Sequence, residues 1–174
     1  MPTVQPIARP RFFVGMATSV LVFASALVGY GLSGCAHQRV IPGTAVPDNE
    51  ENRGVLEVVE QYRQRLIEKN VEGLLILASD RYFEDSGTPS AEDDYGYDGL
   101  KFVLANRLNR LRSIRYDISY KAVKVEANRA EVETFLSGAF ELTGESRDSY
   151  RRVGDYHRFV LERVGGKWKF TSGM

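Results

Sequence analysis

The chain has 174 residues and a formal net charge of zero, from 23 basic and 23 acidic side chains. A balanced charge gives no general attraction to nucleic acid, so we expect no nucleic-acid partner. One cysteine and two histidines exclude an internal disulfide and a metal site built from several histidines. The chain also has no phosphate-binding glycine loop and no Gly-x-Ser-x-Gly motif, and we expect neither a metal nor a cofactor.

The N-terminal segment has the layout of a secretory signal peptide. Arg9 and Arg11 precede the uncharged residues 12–34, which end in small side chains. The end of this run and the residue that follows it, Leu32-Ser33-Gly34-Cys35, resemble the lipobox of bacterial lipoproteins. In a lipobox the cysteine thiol is lipidated and the signal peptide is removed. Cys35 is the sole cysteine, and lipidation explains it without a disulfide partner. The uncharged run is also long enough to span a bilayer, so an uncleaved anchor stays open.

The lipobox resemblance predicts where the protein resides. Residues 1–34 would be the signal peptide, and acyl chains on Cys35 would bind the lipid membrane. Ala36 follows the cysteine. By the Gram-negative sorting rules, Asp at this position would retain a lipoprotein in the inner membrane. We therefore expect this protein in the outer membrane, facing the periplasm. Two arginines and no acid precede Cys35, which leaves 21 basic and 23 acidic residues for the mature chain.

Residues 35–47 read as the lipidated cysteine and a flexible tether. They contain two prolines and one glycine, and they show no hydrophobic periodicity. The remaining residues, 48–174, are enough for one domain with a core but hardly for two. We therefore predict a single folded domain that begins at Asp48.

The first half of this domain predicts three helices. Asp48 stands three residues before Glu51, the spacing of a capping box, and an apolar stripe follows at helical spacing. Asn70 starts a second, shorter helix over 71–78, which is almost wholly apolar and should be buried. Asp98 is the expected N-cap of the third helix. The apolar stripe of the first helix comprises Val55, Leu56, Val58, Val59, Tyr62, Leu66 and Ile67.

The second half predicts four antiparallel strands. From residue 113 apolar and polar side chains alternate, and a slip of phase at Ala122 indicates a β-bulge. A turn over 127–129 leads to a second strand, and a long third strand covers about Tyr150 to Val164. Gly165-Gly166 turns the chain into a fourth strand over 167–172. Helices followed by strands indicate an α+β domain, with the helices on one face of a curved sheet.

The order of elements resembles the nuclear transport factor 2-like superfamily. The resemblance covers about residues 48–174 and includes the Asn-Val-Glu-Gly-Leu-Leu turn from Asn70 and the closing Lys-Trp-Lys-Phe from Lys167. It implies a cone-shaped fold, as in ketosteroid isomerase, scytalone dehydratase and polyketide cyclase-like proteins. Many members are not enzymes, because function depends on what lines the cone. Members often dimerise through the convex face of the sheet, which makes a homodimer an expectation by analogy.

Asp155 and His157 are the candidate catalytic pair. Residues two apart on a strand share a face, and these two share theirs with Phe159 and Leu161. If that face lines the cone, the carboxylate could orient the imidazole as a general base. The alternative is a histidine on the sheet surface beside Arg158, with Asp155 paired to an arginine on a neighbouring strand.

Aromatic side chains are the candidate lining of a ligand pocket. Buried tyrosines can donate hydrogen bonds to a ligand or an oxyanion, although such residues more often fill a core. The candidates are Tyr62, Tyr82, Tyr116, Tyr120, Phe159 and Trp168.

Six acids and no base lie between Arg81 and Lys101. Their spacing does not fit an EF-hand, so we interpret the segment as a solvated loop over the pocket entrance.

We expect a lipid-anchored protein that is not an enzyme, and that binds a small apolar ligand or another protein. The alternative is a small isomerase, dehydratase or cyclase that uses His157 with Asp155, and Tyr116 or Tyr82 as hydrogen-bond donor.

Overall fold

The computed structural model describes residues 39–85, 90–143 and 150–174, and the predicted signal peptide and Cys35 lie outside them. The elements run α1 (Glu50–Ile67), α2 (Val71–Leu77), β1 (Phe83–Glu84), a 3₁₀ turn (Ala91–Asp93), β2 (Tyr95–Gly96) and α3 (Tyr97–Asn109). Four long strands follow: β3 (Leu111–Glu126), β4 (Arg129–Leu142), β5 (Tyr150–Val164) and β6 (Lys167–Ser172). Among the described residues, no helix is long and apolar enough to cross a membrane.

The four long strands form one antiparallel sheet in the order β3-β4-β5-β6, while β1 and β2 pair separately. The predicted α+β class is confirmed, with three helices and a curved four-stranded sheet in the described part. The predicted bulge is confirmed by a register shift between Tyr120 and Ala122. The turn at Gly165-Gly166 is also confirmed, since both glycines have positive φ angles, of 56° and 79°.

The core lies between the helices and the inner face of the sheet. From α1 it takes Val55 and Val59, both fully buried, and from α2 Leu74. Each such side chain stabilises the fold by about 1.5–3 kcal/mol relative to an exposed position. The α2 helix is less buried than predicted, because Ile76 lies on its outer side and is 66% exposed.

Two predicted helix caps are wrong. Asn49, not Asp48, caps α1: its backbone is extended, and its side-chain oxygen accepts a hydrogen bond from the Asn52 N–H at 2.8 Å. Asp48 instead accepts hydrogen bonds from the Arg53 guanidinium. Gly96, not Asp98, is the N-cap of α3, because β2 runs directly into that helix. Asp98 lies in the first turn, where its charge still favours the helix.

The prediction of a tether up to residue 47 is wrong from Arg39 onward. Val40 and Pro47 form an antiparallel bridge, and the Ile41 N–H donates to the Val46 carbonyl at 2.9 Å. Val46 is fully buried and belongs to the core. The ordered part therefore starts before Asp48: Ile41 also packs against the core, and the Asn52 side-chain amide on α1 donates to the Pro47 carbonyl at 2.9 Å.

Candidate functional site

Aromatic rings fill the space between the helices and the sheet. The Tyr62 ring, from α1, lies 6.3 Å from Tyr116, 5.4 Å from Phe159 and 5.5 Å from Phe170, measured between ring centroids. Phe159 and Phe170 also contact each other edge to face at 5.6 Å. Such pairs contribute about 0.5–1.5 kcal/mol each beyond the area they bury. The four rings form one packed group, which we call the aromatic cluster.

The aromatic cluster leaves little room for a ligand. Phe159 and Phe170 are 0% exposed, Tyr62 5% and Tyr116 7%. Five surface cavities in the described part are lined by other residues, and none has a member of the cluster in its wall. Three residues named as pocket candidates, Tyr62, Tyr116 and Phe159, are therefore brought together, but as core.

The tyrosine hydroxyls of this region are held protonated by burial. Loss of water raises the pKa of Tyr116 to about 12. The pKa of Tyr62 is raised well above its usual value by burial first, and next by Tyr116. Neither hydroxyl can become a phenolate base near neutral pH.

Tyr82 is also buried, at 2% exposure, but it belongs to a polar network. Its hydroxyl donates to Glu84 Oε2 at 2.8 Å and accepts from the Met174 N–H at 3.0 Å. The same Glu84 oxygen accepts from the Gly173 N–H at 2.7 Å. Burial, followed by the Glu84 charge, raises the pKa of Tyr82 above its usual value.

His157 joins this network from β5. Its ring lies half-buried on the same face as Phe159, 4.6 Å away between centroids. His157 therefore has the inward orientation, which was one of the two that the strand pattern left open. Its Nε2 lies 2.7 Å from the Gly173 carbonyl oxygen, so Nε2–H donates to that oxygen. The imidazole is thereby bound to the chain's own backbone.

Asp155 does not meet His157. Its side chain is exposed, and Oδ1 accepts a hydrogen bond from the Tyr156 N–H at 2.7 Å. Within the described ranges, no hydrogen bond or ion pair joins Asp155 to His157 or to an arginine. Sharing a strand face thus did not bring the two groups into contact.

Tyr120 and Trp168 lie apart from the aromatic cluster. The Tyr120 ring is half-buried, and its hydroxyl has no hydrogen-bond partner in the described part of the chain. Burial, and then the Glu60 charge, raises its pKa. Trp168 is 7% exposed and lies against the Arg163 guanidinium, 4.5 Å above its ring. It forms part of the wall of a surface groove of about 460 Å³ between α1, α2 and β6.

The acidic segment does not assemble a metal site from described residues. In those residues, no group of three or more His, Cys, Asp or Glu side chains is placed to hold an ion. Glu84 serves the polar network instead. Sequence reasoning missed this role, since nothing in the spacing of Tyr82, Glu84 and Gly173 shows that β6 ends beside β1.

Comparison with known proteins shows the fold alone. No family model and no curated protein matches the chain. Among solved structures, it is similar to a ketosteroid isomerase-like protein from Erwinia carotovora atroseptica, at 20% identity and a TM-score of 0.56 over 71% of this chain and 93% of that one.

Two further structures are similar at the same level. A conserved protein from Planctomyces limnophilus has 13% identity and a TM-score of 0.61 over 70% of this chain and 91% of that one. A candidate scytalone dehydratase from Novosphingobium aromaticivorans has 18% identity and a TM-score of 0.58 over 70% and 79%. The domain therefore has a nuclear transport factor 2-like fold, as the sequence resemblance implied.

Proposed function

We propose that this protein is a lipid-anchored component of the bacterial cell envelope whose domain binds other proteins and performs no catalysis. The observation that carries the non-catalytic part is the aromatic cluster. Four rings occupy the region where a cone-shaped domain of this fold would hold a small molecule. A filled interior favours a protein-binding role over a small apolar ligand.

The state of His157 supports the same proposal. A general base needs a free nitrogen within hydrogen-bond reach of its substrate. Here Nε2–H is bonded to the Gly173 carbonyl, which leaves Nδ1 as the one nitrogen able to accept a proton, and Asp155 is bonded to the backbone of its own strand and does not orient the ring. An isomerase or dehydratase using this pair would have to break the Asp155 contact first.

The surface offers apolar side chains for a protein partner. Phe102 on α3 is 70% exposed and Ile76 on α2 is 66% exposed. Single exposed apolar residues are ordinary, but large aromatic ones are enriched where proteins bind each other.

The membrane part of the proposal rests on the lipobox residues Leu32-Ser33-Gly34-Cys35. Metabolic labelling with a fatty-acid analogue in a bacterial host tests it. We expect the label on the wild-type protein and its loss in Cys35→Ser, with Ser33→Ala as the matched control that keeps the thiol. A labelled Cys35→Ser variant would overturn the lipid assignment, as would an unlabelled wild-type protein.

A test of the non-catalytic role compares small-molecule binding in two proteins. We expect the wild-type protein to give no saturable binding of apolar fluorescent probes, and Phe159→Ala to acquire it, because the substitution opens a cavity. Saturable binding to the wild-type interior, lost when Tyr62 is replaced by Trp, would restore the ligand-binding function.

A further inference from the structure

The first half of β5 is a free edge of the main sheet. On one side, β5 pairs with β4 from Tyr150 to Glu162. On the other side, β6 pairs with it only from Val160 to Val164. No other strand of the described chain pairs with residues 150–159. Residues 151–156 are all exposed, so both the edge and its side chains are accessible.

The backbone shows which groups face this edge. The Arg163 N–H donates to the Asn128 carbonyl at 2.8 Å, so odd-numbered residues of β5 bond towards β4. Even-numbered residues therefore direct their N–H and C=O groups to the open side. The Tyr156 N–H fits this, since its partner is the Asp155 side chain and not a strand.

The side chains along this edge are self-complementary. Val153 is 49% exposed, and Arg151 and Asp155 lie two residues away from it on either side. All three share one face, because alternate residues of a strand do. An antiparallel copy of the same strand centred on Val153 would place each arginine opposite the other copy's aspartate.

Other registers lose this match. Centring the pair on Arg151 places two arginines opposite each other, and centring it on Asp155 does so for two aspartates. Like charges directly opposite destabilise a strand pair. A register that pairs odd-numbered with even-numbered residues is excluded, because it would bring odd-numbered residues, which bond towards β4, into the hydrogen-bonding positions. Centring on Arg152 again opposes two arginines, and centring on Gly154 loses both Arg151–Asp155 pairs. The register centred on Val153 is thus favoured by both charge and backbone.

We propose that two copies of this chain associate through their β5 edges, antiparallel and centred on Val153, so that the two sheets become continuous. Val153 contacts its counterpart across the two-fold axis, and two equivalent Arg151–Asp155 ion pairs flank it. This arrangement differs from pairing through the convex face of the sheet. It involves no residue of the aromatic cluster, so it stands whether or not the domain binds a small molecule.

Charge exchange tests the ion pairs. The full-length protein is measured in detergent by native mass spectrometry over a range of concentrations. We expect Arg151→Glu and Asp155→Arg each to weaken the dimer by about tenfold or more in Kd, since each turns two attractive pairs into repulsive ones. The double variant should restore the dimer. Arg152→Glu, on the opposite face, is the matched control and should weaken it far less.

Cysteine crosslinking tests the register. Non-hydrogen-bonded partners in antiparallel strands have Cβ atoms about 4.5–5.5 Å apart, close enough for a disulfide after small adjustment. Under mild oxidation in membranes, we expect Val153→Cys to give a covalent dimer. Ser137→Cys, exposed on β4, should not exceed the level of the wild-type chain, which retains Cys35.

Three results would overturn the proposal: a monomeric wild-type protein, single reversals that leave the dimer unchanged, and crosslinking through residue 137 instead of residue 153. The last would assign the dimer to the convex face of the sheet.

Discussion

Gly173 is the residue on which the polar network depends. It has a φ of 91°, and a Cβ there would lie 2.5 Å from the Arg158 carbonyl oxygen. Its carbonyl and N–H bind His157 and Glu84. A side chain at this position would have to displace the segment from both partners.

We expect Gly173→Ala to lower the free energy of unfolding by about 2–4 kcal/mol, from backbone strain and lost hydrogen bonds together. Gly43→Ala is the matched control, because Gly43 also has a positive φ, of 78°, but nothing lies within 4 Å of its Cβ position. It should cost about 1 kcal/mol. Equal losses in urea denaturation would show that the contacts of Gly173 do not matter.

The Tyr82 hydroxyl supplies a second test of the network. Tyr82→Phe leaves the Met174 N–H without its acceptor and Glu84 without one donor. We expect a loss of about 1–3 kcal/mol in the free energy of unfolding. Tyr97→Phe removes only a long contact, of 3.5 Å to the Leu75 carbonyl, and should change stability by a few tenths of a kcal/mol. A Tyr82→Phe variant with an unchanged free energy of unfolding would contradict the role of the network.

Alkaline pH should unfold the protein through its buried tyrosines. The folded-state pKa of Tyr116 is about 12, against an ordinary value of 10.0. A raised folded pKa gives stability that is full below pH 10 and is lost as pH rises towards 12, because the unfolded chain ionises first. We expect urea midpoints to fall over this range and to fall less steeply in Tyr116→Phe. If the urea midpoint falls with pH as steeply in Tyr116→Phe as in the wild-type protein, burial of this hydroxyl is contradicted.

At the scale of elements, substitutions at the start of helix α1 test which residue is its N-cap. We expect Asn49→Ala to cost about 1 kcal/mol, since the Asn52 N–H loses its acceptor. Asp48→Ala should cost less, because Arg53, its ion-pair partner, is largely exposed. The reverse order in thermal or urea unfolding would restore the predicted capping box.

The elements were largely predictable, because each has a strong local signal. The period-two pattern from residue 113, the bulge and the Gly165-Gly166 turn are all present. The cap of α1 was missed by one residue, because Asp48 and Asn49 are both residues that cap helices well, and the structure pairs Asp48 with Arg53 instead. The folded segment from Arg39 was missed because its apolar residues Val40, Ile41 and Val46 follow neither a helical nor a strand period.

The candidate site was less predictable than the elements. That Tyr62, Tyr116 and Phe159 approach one another follows from their strand and helix phases. Whether they enclose a cavity depends on ring packing between distant segments, which no local pattern contains. The same holds for His157, whose partner Gly173 follows the end of β6 and belongs to no strand pair that the sequence suggests.

For the whole molecule, the fold and the role must be distinguished. The three similar structures described above differ from the chain at about 80% of the compared positions or more, so their names describe their own activities. The packing of the interior is the property that separates a carrier or enzyme from a protein-binding domain. In this chain, the four rings of the aromatic cluster together determine that packing.

Stability of a Phe159 variant measures this packing most directly. We expect Phe159→Ala to lower the free energy of unfolding by about 3–5 kcal/mol, as for a large side chain removed from a close-packed core. Phe159→Leu should retain the fold with a smaller loss, and Phe135→Ala, half-buried on the outer face of the sheet, is the control. A loss below about 1 kcal/mol for Phe159→Ala would mean that the ring borders open space and that the cone is a ligand site.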